Sequence, residues 1–87
     1  MKIEKKLFRA GPYSDYFSQG VRVGNILTLA GQLGDGKDGK IPESIKEQME
    51  NCYRNIQNVL KEFGASLDNV IDETWFVTDM QECMNNV

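Results

Sequence analysis

The sequence predicts an α+β fold, a β-β-β-α-β run that begins a mixed sheet with helices packed on one face. Three observations predict it: the alternating stretch "SQGVRVGNILTLAGQL", folded about Gly24-Asn25; a long apolar stripe at helical spacing after Ser44; and a second alternating run, "VIDETWFVT". The 87 residues make at most one domain, 1–87, with a small core, so partner subunits or further chain would add to its stability. No internal repeat or low-complexity tract divides it.

In chain order, the first element is a strand near "MKIEKKLF", whose Lys2, Lys5 and Lys6, with Arg9 beyond, read as the solvated edge of a sheet. The next two strands meet at Gly24-Asn25, an order that suits a two-residue type II′ hairpin. Gly31 follows within Ala30-Gly31-Gln32, and a glycine inside a strand marks a bulge or the close approach of another group. "GDGKDGKIPES" is a connector, since neither the Walker pattern nor G-x-G-x-x-G occurs. Ile45, Met49, Cys52, Tyr53, Ile56, Val59, Leu60 and Phe63 then form one helical stripe. Ser44-x-x-Glu47 has capping-box spacing at its start, and Gly64 provides a left-handed stop. Cys52 lies in that stripe and reads as a packing thiol.

After a turn over 65–69, residues 70–78 alternate as a strand with Ile71, Trp75 and Val77 on one face and Val70 and Phe76 on the other. Apolar groups on both faces predict an additional buried surface, between subunits. Asp79-x-x-Glu82 opens a second helix, which "QECMNNV" leaves cut short; the domain is expected to be incomplete at its C-terminal end.

Composition narrows the chemistry. Ten Lys+Arg against 13 Asp+Glu give a net charge of −3, which disfavours a surface driven by phosphate neutralisation, so nucleic acid is not the expected partner. No histidine is present, which removes Ser-His-Asp and Cys-His nucleophilic arrangements and the commonest zinc ligand together. Two cysteines far apart make neither a closed metal site nor a redox pair, so no metal and no cofactor are expected. The lack of a long apolar run or a signal peptide predicts a cytoplasmic protein without a membrane partner.

Three stretches, "SQGVRVGNILTLAGQL", "QMENCYRNIQNVLKEFGASLDNVI" and "TWFVTDM", resemble in order and spacing the Rid family, the reactive intermediate deaminases also called YjgF-like or L-PSP proteins. The resemblance implies a YjgF/chorismate-mutase-like fold and a homotrimer that binds a small 2-imino or 2-keto acid in clefts between subunits. It places Phe17, Ala30, Gly31 and Asn86 at the ligand, with Val87 the alternative to Asn86 by one residue of register. Ala30 stands where the family has serine, so that hydroxyl is missing. Phe17 stands where the family has tyrosine, and Tyr13 or Tyr16 restores a phenol only if the upstream loop folds back. The arginine that grips the substrate carboxylate lies beyond the point matching Val87, and Arg9, Arg22 and Arg54 do not match it. No residue of this chain is therefore assigned a catalytic role.

Two functions follow from the resemblance. One is hydrolysis of 2-iminobutanoate or 2-iminopropanoate to the 2-keto acid and ammonia, with water attacking a polarised imine carbon. The other is a non-catalytic, ligand-binding or regulatory trimer that keeps the cleft without the deaminase residues. RNA cleavage, attached to some family members, fits the acidic composition and missing histidine poorly.

Overall fold

In a computed structural model, which describes residues 4–86, the chain begins as a three-strand antiparallel meander of β1 (Lys5–Phe8), β2 (Gly20–Val23) and β3 (Ile26–Leu29), in the order β1-β2-β3. Lys2 and Val87 lie outside the described residues. As the basic cluster predicts, β1 is an edge strand. Val23 pairs with Ile26 across the hairpin, leaving Gly24-Asn25 as its turn. Gly24 has φ +59° and Asn25 has no positive φ, the φ signs of type II′.

The long helix, α1 (Ile45–Lys61), is capped by the Ser44 hydroxyl, which accepts the Glu47 N–H at 3.4 Å. It ends as Gly64 predicts: that residue has φ +71°, Ala65 N–H donates to Leu60 O at 3.0 Å and Gly64 N–H to Lys61 O at 3.1 Å, the paired bonds of a Schellman ending. Lys6 reaches across from β1, donating to Glu62 O at 3.0 Å with its ammonium 5.2 Å from the Phe63 ring centre. A cation at a helix C-terminus is favourable, so this contact ties sheet to helix.

α1 meets the sheet through Phe63, whose ring is edge-on to Phe8 at 6.5 Å, and through Gly20, where an added Cβ would lie 2.7 Å from Phe63 Cε2 and 3.0 Å from Val59 Cγ1. Gly20 therefore marks the face of β2 that α1 covers. Alternation turns Val21 and Val23 the other way, and register adds Leu7, Thr28 and Ile26 to that outer face. Leu7 and Ile26 on it are exposed. Buried apolar residues on the helical side are Met49, Val59, Leu60 and Cys83. Cys83 belongs to α2 (Met80–Asn85), which starts where predicted, with the Asp79 carboxylate accepting the Glu82 N–H at 3.0 Å.

One expected element is absent from the sheet. Residues 70–78 follow a 3-10 turn (Leu67–Asn69) but pair with no strand among the described residues. A strand is defined by a neighbour's ladder, and this segment is held by side chains instead: Trp75 packs edge-on against Tyr53 of α1, ring centres 5.4 Å apart. The two-faced pattern is corrected accordingly. Trp75 and Val77 turn partly inward, while Ile71, expected beside them, is as exposed as Phe76. The α+β class stands on the meander and two helices.

Candidate functional site

Ala30 and Gly31 follow β3 at the open end of the β2–β3 hairpin, opposite its turn, and Phe17 lies two residues before Gln19, to which Ala30 bonds. Ala30 N–H donates to Gln19 O at 2.9 Å, and Gln19 N–H in turn to Phe8 O, extending the meander by one bond on each side. Gln32 folds back over this end, its Nε2 donating to Gln19 Oε1 at 3.0 Å and to Ala30 O at 3.2 Å. The Gln32 side chain thus bridges the residue before Gly31 and Gln19 on the neighbouring strand end. Gly31 itself is exposed, lacks positive φ, and has no chain atom within 4 Å of the position a Cβ would take. Its N–H has no acceptor among the described residues. Among the described residues, close approach occurs at Gly20, Gly34 and Gly36 instead, and Gly31 is left open.

The loop ahead of β2 does fold back. Gly11 turns at φ +75°, Tyr13 O accepts from Tyr16 and Phe17 N–H at 2.9 and 3.1 Å, and the Tyr13 ring stacks on Phe17 with centres 5.6 Å apart. Tyr13 is therefore the phenol brought to Phe17, whereas Tyr16 points away, 81% exposed. Arg9 donates to Ser14 O at 2.9 Å and so belongs to this same loop. Arg22 bonds Gly24 O at the far, turn end of the hairpin, and Arg54 bonds Asn51 on α1.

The connector leaving this end is pinned to one face of α1, a feature the sequence reading missed. Gln48 Nε2 donates to Pro42 O at 2.7 Å, Asn51 Nδ2 to Gly34 O at 3.1 Å, and Asn55 Nδ2 to Leu33 O and Asp35 Oδ1, both at 3.0 Å. Gly34 lies so close that a Cβ there would be 2.9 Å from Gln48 O. Residues 48, 51, 52 and 55 share a helix face, and Cys52 sits among them with Sγ 3.5 Å from Gln32 O. Burial, helped by the Asp35 carboxylate, pushes the Cys52 thiol above its ordinary range, as suits a packing residue.

Asn86 is not brought to Gly31 by any described contact. Its amide donates to Glu82 O at 2.9 Å, and it lines a separate groove between α1, residues 70–78 and α2. Among the described residues no group of three His, Cys, Asp or Glu is disposed to hold a metal ion, and no helix is long and apolar enough to cross a membrane.

A family model described as Endoribonuclease L-PSP matches residues 7–87, a span that holds the hairpin, α1 and the α2 cap. The chain belongs to the L-PSP family. It is 32% identical over 83 residues to a RutC family protein of Aquifex aeolicus, covering 94% of this chain and 63% of that protein. Protein MMF1, mitochondrial, of Saccharomyces cerevisiae is 33% identical over 73 residues, covering 83% of this chain and 50% of that protein. A solved structure of protein YjgH superposes with a TM-score of 0.63 at 28% identity, over 76% of this chain and 54% of that one. This L-PSP chain thus spans between half and two thirds of the relatives it matches.

Proposed function

We propose that the protein containing this chain is a deaminase of the Rid type, hydrolysing 2-iminobutanoate and 2-iminopropanoate to 2-keto acids and ammonia. The observation that carries the reading is the open end of the hairpin. There the Gly31 backbone lies between Ala30 and Gln32, which the Gln32 amide ties to each other and to Gln19, and it is unobstructed, with no acceptor for its N–H among the described residues. A preorganised amide can orient a small carboxylate or a water without a nucleophilic side chain. Tyr13 stacked on Phe17 supplies the phenol that the family carries one position before its Ser-Gln pair. Water adds to the imine carbon, and ammonia leaves as the keto group forms.

The cleft would be completed by a second subunit of a homotrimer, for which the outer sheet face, with Leu7 and Ile26 exposed on it, is the supporting feature. Asn86, distant in hydrogen-bonding terms from Gly31, would then act from the neighbouring subunit. A cytoplasmic location is part of the same reading, although a mitochondrial relative shows that the family occupies more than one compartment.

Ala30, which brings no hydroxyl, favours the second reading, a trimer that binds such ligands without turning them over. Assaying 2-keto acid release separates the two. We expect no turnover by the 87-residue chain alone, in which no residue matches the carboxylate-gripping arginine, and turnover by a longer polypeptide in which that arginine is supplied. Ligand binding without turnover by that longer polypeptide would establish the second reading; neither binding nor turnover would reject both.

A further inference from the structure

We propose that Gln32 is a positioning residue for the ligand at Gly31, its side-chain amide taking the place of a ladder bond that the sheet leaves out; the inference rests on the hairpin end being the ligand site. The register that pairs Gly20 with Leu29 sets Gln19 opposite Ala30 one step on. Antiparallel residues that bond across the ladder exchange two N–H···O bonds. Only one is made here: Ala30 N–H donates to Gln19 O at 2.9 Å, while Gln19 N–H turns to Phe8 O at 2.6 Å. Ala30 O is thus left without the main-chain donor of that pair. Gln32 Nε2 supplies a donor at 3.2 Å and also reaches Gln19 Oε1 at 3.0 Å. A carbonyl oxygen only accepts, so it is the nitrogen of the Gln32 amide that faces Ala30.

Ala30 O and Gly31 N–H belong to one peptide unit, which is planar and, like every described peptide bond, trans. The two groups therefore point in opposite directions, and whatever fixes the carbonyl aims the N–H. With Ala30 O turned to the Gln32 amide, Gly31 N–H faces away from it, where no acceptor among the described residues meets it. A donor on the carbonyl also polarises the unit and strengthens the N–H. Gln32 is anchored in turn, since its main-chain O accepts from Cys52 Sγ of α1 at 3.5 Å. Gln19, Ala30 and Gln32 are half-buried, whereas Gly31 is exposed. Glycine offers its own φ little steric resistance, so without the Gln32 bond this peptide unit can turn, and a ligand would then meet the cost of fixing it.

The full chain, isotopically labelled, is titrated with 2-oxobutanoate while NMR reads the Ala30 carbonyl, the Gly31 amide and the Gln32 side chain. Before ligand is added, the Gln32 side-chain N–H groups should exchange with solvent more slowly than those of the exposed Gln57 and Gln81; equal exchange overturns the proposal without any variant. Ligand should then shift the Gly31 amide saturably. Gln32→Met keeps the length of the side chain and removes the donor. It should move the ligand-free Ala30 and Gly31 signals and weaken binding by about tenfold. Gln19→Met removes the bond between the two side chains but leaves Ala30 O its donor, so binding should fall by less, a difference that a merely structural clamp would not produce. Undiminished affinity in Gln32→Met, equal losses in the two variants, or unmoved Ala30 and Gly31 signals in Gln32→Met would each overturn the positioning role and leave the ligand at Gly31. A wild-type Gly31 amide that does not respond to 2-oxobutanoate would overturn the reading of the site itself, and the positioning role with it.

Discussion

Glycines 31 and 34 lie three residues apart, yet their missing side chains answer different demands. At Gly34 a Cβ would press on Gln48 Cβ at 2.8 Å and on its carbonyl oxygen at 2.9 Å, and a helix backbone cannot move aside as a side chain can. Gly34→Ala should therefore cost about 1 to 3 kcal/mol in urea denaturation. Gly31→Val should leave the denaturation midpoint nearly unchanged, because the site is open and its φ is not left-handed. It should nonetheless abolish binding of a 2-keto acid at the hairpin end if that end is the ligand site. A large loss of stability in Gly31→Val, or unchanged binding, would reject the assignment. Cys52 and Tyr53 add a pH dependence. Burial is the first cause of the upward shift in both, supplemented by Asp35 for the thiol and by Glu73 for the phenol. The folded chain thus holds both protons more tightly than the unfolded chain. Their stabilisation is complete below the ordinary thiol range and is lost as pH rises through it and then through the phenol range. Urea midpoints measured across alkaline pH should fall, and the early part of that fall should flatten in Cys52→Ser.

At the scale of elements, α1 does two jobs on two faces: its apolar stripe meets the sheet and α2, and its Gln48, Asn51 and Asn55 amides hold the connector. Removing both asparagines by Asn51→Ala with Asn55→Ala should release that connector while the helix persists. Tryptic cleavage after Lys37 and Lys40, both exposed, should then accelerate with little change in helical circular dichroism; unchanged cleavage would show that the amides do not hold the loop. These asparagines illustrate where sequence reading stops. The hairpin turn, the Ser44 and Asp79 caps and the Gly64 ending were legible because each is set by a few adjacent residues. Amides on the polar side of an amphipathic helix look the same whether water or a loop receives them. Residues 70–78 have the composition of a strand, but strand identity depends on a neighbouring ladder that no local pattern supplies. In the candidate site, the hairpin that carries Ala30 and Gly31 was legible from its turn, while the Tyr13–Phe17 stack depended on how an 11–16 turn closes.

For the whole molecule, the face of the sheet turned away from α1 is the feature that most limits an isolated chain. Leu7 and Ile26 are 53% and 70% exposed there, beside Val21 and Val23. A homotrimer covering this face should sediment as such at micromolar concentration, and Ile26→Lys should shift it toward monomer while costing the monomer little. Sedimentation as a monomer before substitution would remove the shared cleft from the proposed function. Connectivity carries a different consequence, in time rather than in space. Every strand of the sheet pairs with its neighbour in sequence, and α1 is complete by Lys61. The meander itself closes only short loops and is expected to form fast, whereas docking α1 onto it through Phe8–Phe63 and Lys6–Glu62 closes a much longer one. A ribosome that has just released residue 64 from its tunnel has already delivered everything needed to organise the backbone around Gly31.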